Sequence, residues 1–208
     1  HVDLEVGRVL AAMHECGAAD DTLVIFTSDH GDMLGDHALL AKGAMLYDPC
    51  VRVPLIAYHS GHVQGGQVAT GLAQLHDVAA TALHAAGAAP EEITGWMPTA
   101  RNLAVAAAQP DAEIRPFAIC AYRNSGIDVR GAYWDPPIDA TMVRRAQHKL
   151  HRYHAVPGRQ EAPIACLFDL ARDPLELHDL AHEPHMQDVL AQLQADCDHW
   201  QADAMSLA

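Results

Sequence analysis

Asp29 and His30 stand side by side where an apolar, β-branched run, residues 22–27 (TLVIFT), gives way to the polar stretch SDHGD. A carboxylate offers a hard anionic oxygen and a neutral imidazole offers a nitrogen, so the adjacent pair suits a divalent metal ion. Gly31 behind them lets the chain turn sharply away. Beyond a second polar cluster, Asp36 and His37, comes Lys42 in a Lys-Gly pair. A lysine is a compact charge on a long stem, suited to holding a sulfate or phosphate oxygen beside a metal. Asp32, Asp36 and His37 lie nearer the rim, where loop polar residues either touch a ligand or shape turns and caps. Arg52 is expected to be structural, bonding nearby carbonyls or a carboxylate rather than doing chemistry.

The elements that must position these groups follow from patterning. Residues 22–27 form a short apolar run of the kind found in a buried strand of a parallel sheet, and the carboxyl ends of such strands are where ligands bind. Residues 53–58 supply the next strand. Before them, Val2, Val6, Val9, Leu10 and Met13 recur at helical spacing, with Gly17 at the C-terminal cap. After them, Asp77 offers an N-cap to an alanine-rich helix through about residue 86, stopped by Gly87 and Pro90. Residues 99–108 suggest a short helix. From Pro116 the pattern changes to short runs, 117–122, 141–145, 149–153 and 164–169, as in an antiparallel sheet. Residues 184–204 form a closing helix with Met186, Val189, Leu190, Leu193 and Cys197 on one face.

The ordered elements T-S-D-H-G-D-x-L-G-D-H, K-G, Y-D and V-R-V-P-L-I resemble the metal-binding segment of the sulfatase family within the alkaline phosphatase superfamily. The segments MVRRAQHKLHRY and LFDLARDPLELHDLA resemble its C-terminal hairpin and its D-P-x-E turn. The resemblance implies an α/β fold: part of an alkaline-phosphatase-like sandwich of mainly parallel sheet and helices, with a small C-terminal antiparallel sheet plus helix. It implies two parts, residues 1–115 from the catalytic domain and residues 116–208 as a C-terminal subdomain. Asp29 and His30 become metal ligands, and Lys42 becomes a catalytic contact to the transferred group. The implied reaction is metal-dependent hydrolysis of a sulfate ester by a formylglycine made from a C/S-x-P-x-R motif. No such motif occurs here, and Cys50, followed by Val51 and Arg52, does not fit it. The nucleophile is expected upstream of His1, since the chain opens without Met and already within a helix. Many sulfatases carry Asn at the position of His30, and the His form also occurs in phosphonate monoester and phosphodiester hydrolases, which gives the alternative substrates. A non-catalytic remnant is the third reading. One divalent metal ion is implied, with calcium first and manganese or another transition ion as the alternative.

Composition narrows the remaining classes. A net charge of −14 disfavours nonspecific nucleic-acid binding. No apolar run approaches the roughly 18–20 residues that span a bilayer. Cys16, Cys50, Cys120, Cys166 and Cys197 are scattered and include no C-x-x-C, which argues against a disulfide framework or a structural zinc site. Two histidine clusters, His148/His151/His154 and His178/His182/His185, are expected to be solvated surface groups. The expected partner is a small sulfate ester, or a phosphonate or phosphodiester, with homo-oligomerisation left open and no compartment indicated.

Overall fold

The computed structural model describes residues 1–124, 135, 137–155 and 162–206. The chain divides into two compact units, one of residues 1–28 and 54–114, the other of residues 29–53 and 115–208.

In the first unit, helix α1 (Val2–Glu15) follows the predicted apolar spacing, yet none of its residues is buried. Gly17, at φ 74°, turns the chain out of it. Strand β1 (Val24–Thr27) pairs with β2 (Leu55–Tyr58), Val24 opposite Tyr58 and Thr27 opposite Leu55. The pairing is antiparallel, which corrects the expectation of a buried parallel strand here: β1 is only half-buried and β2 is exposed throughout. A parallel return needs a crossover, usually a helix. The intervening chain instead forms one helical turn, α2 (Asp48–Val51). Helix α3 (His76–Ala85) packs on α4 (Pro90–Trp96), and α5 spans Ala104–Ala108. Helix α3 ends before Gly87 and Pro90, as expected, and Pro90 begins α4 at its N-terminus, where a missing N–H costs nothing. Asp77 is fully buried inside α3 and does not cap it. Its carboxylate accepts the backbone N–H groups of Gln74 at 2.7 Å and Arg101 at 2.8 Å, fastening two loops.

The second unit is built on an antiparallel sheet in sequential order, β3 (Ala118–Asn124), β4 (Ile138–Arg144), β5 (His148–Tyr153) and β6 (Ile164–Asp169). Alternation of side chains gives the sheet two distinct faces. Val143, Leu150 and Leu167, cross-strand neighbours, pack with Leu193 and Cys197 of helix α6 (Gln187–Ser206). Met186, Val189 and Leu190 join the same cluster, as the helical spacing predicts. Arg145 adds a bidentate pair to Asp196 at 2.8 and 2.9 Å. The opposite face, with Ala140, Met142, Lys149, His151 and Phe168, is covered by the segment 29–53: Leu46 packs on Ala140 and Met142, and the Tyr153 hydroxyl donates to the Ala44 carbonyl at 2.9 Å. No helix among the described residues is long and apolar enough to cross a membrane.

Candidate metal and anion site

The segment 29–53 lacks a regular element longer than the four residues of α2, so its shape depends on specific bonds. Gly31 donates its N–H to the Cys50 carbonyl at 2.8 Å, and a Cβ on Gly31 would fall 1.9 Å from the Pro49 carbonyl oxygen. Only glycine permits that approach, so the chain behind His30 is pressed directly onto α2. The Nδ1 of His30 lies 2.8 Å from the Gly31 carbonyl. A carbonyl can only accept, so Nδ1 carries the proton and Nε2 keeps its lone pair. That nitrogen faces Lys42, whose Nζ is 2.8 Å away, and the Asp29 carboxylate, 3.4 Å away. The backbone N–H of His30 donates to Asp29 Oδ1 at 3.0 Å. This N–H first, and the Lys42 charge more weakly, hold the Asp29 carboxyl below its usual range.

The three residues singled out by type and spacing, Asp29, His30 and Lys42, therefore meet at one point. Asp29 is largely exposed and His30 is half-buried. Among the described residues no group of three or more His, Cys, Asp or Glu side chains comes together as a metal set. One carboxylate and one imidazole with a fixed tautomer fit two positions of a divalent ion's coordination sphere. Asp32 and Asp36 are exposed. His37, at φ 52°, stacks on Tyr47 with ring centroids 3.9 Å apart. Arg52 reaches the Asp48 carboxylate at 3.8 Å, the structural role expected of it. Cys50 is buried, and burial followed by the nearby Asp32 charge raises its thiol pKa, which disfavours thiolate chemistry there.

Sequence reasoning missed the groups that hold this segment. Lys149 is fully buried, its Nζ 2.7 Å from Asp48 Oδ1 and 2.8 Å from Glu176 Oε1. Glu176 Oε2 accepts the backbone N–H of Asp48 at 2.6 Å, and Arg144 donates to Asp48 Oδ2 at 3.3 Å. Burial alone would raise the Glu176 carboxyl, but His151 and Lys149, with the Asp48 N–H, bring it down to about 2. His151 corrects the surface reading of its cluster. It is 1% exposed, edge-on to Tyr47 at 4.9 Å and 3.3 Å from Glu176, because strand alternation turns it toward the segment 29–53. Burial lowers its pKa. The sequence offered one signal, since Glu176 follows Asp173-Pro174 in a turn. By contrast, His178 and His185 are largely exposed beside Asp173 and Glu183, as expected.

Residues 1–88, which include the whole candidate site, match the Sulfatase family. The multifunctional alkaline phosphatase superfamily protein PehA of Trinickia caryophylli is 32% identical over 190 residues, 88% of this chain and 35% of that protein. A putative sulfatase from Bacteroides thetaiotaomicron superposes with a TM-score of 0.79 at 25% identity, covering 98% of this chain and 41% of that one. The phosphonate monoester hydrolase of Agrobacterium radiobacter superposes with a TM-score of 0.77 at 25% identity, covering 97% of this chain and 39% of that one. The chain thus spans little more than a third of its curated relative, 35% of that protein's length. It shares the alkaline-phosphatase-like α/β fold with these structures, including the small antiparallel sheet and the C-terminal helix. The match over the segment that joins Asp29, His30 and Lys42, together with that shared fold, makes the chain similar to the sulfatases of the alkaline phosphatase superfamily.

Proposed function

We propose that this chain is the metal-ligand and anion-binding part of a sulfuric ester hydrolase. The observation that carries the reading is the convergence of Asp29, His30 and Lys42, with the His30 Nε2 lone pair turned into the site by the Nδ1 bond to Gly31. Asp29 and His30 would hold a divalent ion, which supplies charge stabilisation to the nonbridging oxygens of the transferred group. Lys42 would lend its ammonium to the same oxygens. The formylglycine nucleophile and the remaining ligands would come from outside these residues, since the sequence has no C/S-x-P-x-R motif. Residues 1–115 would belong to the catalytic α/β domain and residues 116–208 to a C-terminal subdomain. Calcium is the first metal to test, because the K-G and V-R-V-P elements resemble the sulfatase side, and manganese is the second, because an imidazole donor suits a transition ion better than calcium.

A second reading, hydrolysis of phosphonate monoesters or phosphodiesters, is favoured by the imidazole at position 30 and by the likeness to the Agrobacterium radiobacter hydrolase. The deciding experiment begins with the coding DNA upstream of His1. An open frame carrying paired Asp residues and a C/S-x-P-x-R motif leads to assays of the whole product on an aryl sulfate and an aryl phosphonate, with Asp29→Asn and His30→Ala as controls. Metal-dependent turnover of the sulfate, lost in both variants, supports the first reading. Turnover of the phosphonate alone supports the second. A stop codon or an unrelated domain upstream leaves a non-catalytic remnant.

A further inference from the structure

Lys149 and Glu176 are 0% and 1% exposed at the side chain, yet they form an ion pair. A buried pair is a poor stabiliser compared with apolar side chains of the same volume, so its presence calls for a role beyond holding the sheet together. The contacts supply one. Glu176 Oε2 binds the backbone N–H of Asp48, and Lys149 Nζ binds the Asp48 carboxylate, so the first residue of α2 is gripped at both main chain and side chain. Two residues on, the Cys50 carbonyl takes the Gly31 N–H at 2.8 Å, and the Pro49 carbonyl closes over Gly31 with no room for a Cβ. The Gly31 carbonyl in turn fixes His30 Nδ1 at 2.8 Å and so aims Nε2. Each link is a direct bond or a close contact. Nothing in the relay is a long flexible side chain left in water, since both pair members are buried.

We propose that Glu176 and Lys149 are positioning residues for the Asp29/His30 pair, acting through Asp48, the helical turn α2 and Gly31. This rests on the reading of Asp29 and His30 as metal ligands. It deepens that reading by locating what orients them in strand β5 and in the turn that follows β6, Glu176 lying 128 residues beyond Asp48 along the chain. A purely structural pair would leave the site indifferent to its removal once the fold was preserved. A positioning pair would not.

The test uses the 208-residue chain and the paired variant Glu176→Gln/Lys149→Met, which removes both charges together and leaves Asp48 with Arg144. Three quantities are read: amide exchange at Gly31 against Leu150 as an internal reference, the ring nitrogen shifts of His30, and Mn2+ affinity by electron paramagnetic resonance. The expected result is a folded protein with Leu150 protection intact, Gly31 protection reduced about tenfold, loss of the single Nδ1–H tautomer of His30, and Mn2+ affinity reduced about tenfold. Gly31→Ala, which breaks the last link with the ion pair intact, gives the same His30 and Mn2+ changes. If the paired variant does not fold, Glu176→Gln alone is read in the same way. Unchanged Gly31 protection and an unchanged His30 tautomer in a folded variant overturn the proposal. Should the unaltered chain bind no Mn2+, the ligand reading fails on its own, while the Gly31 and His30 signals still decide whether the relay exists.

Discussion

The ammonium of Lys42 donates to Nε2 of His30 across 2.8 Å, on the same nitrogen that a metal ion would take. A cation binding there has to displace the lysine and then tolerate its charge nearby. In the 208-residue chain, Lys42→Met is expected to tighten Mn2+ binding by about thirtyfold, the order of repulsion between a unit and a double charge about 4 Å apart in water. Isothermal titration measures this. Weaker binding in the variant would mean that Lys42 helps to build the metal site instead of competing for it.

Acid stability follows from Glu176 and His151. The Glu176 carboxyl is depressed from an ordinary 4.5 to about 2, so its contribution is fully present above about 4.5 and is lost as pH falls toward 2. A depression of that size on a buried group corresponds to about 3 kcal/mol. His151 is held neutral by burial, with its pKa lowered, so its contribution is present above its ordinary 6.5 and declines as pH drops below that. Urea denaturation from pH 8 to pH 2 should show stability falling in two steps. Glu176→Gln should remove the lower one, and a lower step that survives in this variant would assign it to other carboxylates.

Lys149 sits between two carboxylates with no exposure to water. Lys149→Met alone strands Glu176 against His151 and should cost about 3–5 kcal/mol, whereas adding Glu176→Gln should recover most of that loss. The midpoint of urea unfolding for the two single variants and the pair gives the coupling directly. Simple additivity would show that the two side chains do not act together.

Strand β2 is exposed along its length, with Ile56 at 60%, and α1 exposes Val2 and Val9 at 67% and 68%. Exposed apolar surface on an edge strand is a template for association. Light scattering on the 208-residue chain should report concentration-dependent association that Ile56→Lys diminishes. A monodisperse monomer with a cooperative melt would contradict this.

The chemistry of the site was legible because it is local. Asp29, His30, Gly31 and Lys42 lie within one short segment, and residue type alone limits what they can do. The C-terminal sheet was legible for the same kind of reason, since runs 149–153 and 164–169 match β5 and β6 closely and the face of α6 was read in full. What failed was non-local. The direction of β1 against β2 is decided by the path of the intervening chain, which no strand pattern encodes. Burial of His151 depends on which segment covers its face of the sheet. Asp77 looked like a cap because capping is local, while its bond to Arg101 is set by loop packing.

The grip of Glu176 on Asp48 has a consequence for the order in which the protein is made. The two residues are 128 positions apart, and at roughly 5–20 residues per second translation takes on the order of ten seconds to pass from one to the other. During that interval the nascent chain already contains Asp29, His30 and Lys42 but not the carboxylate that anchors α2. A ribosome that stalls or terminates before residue 176 leaves them emerged and unplaced, so the ligand pair is synthesised early and organised late.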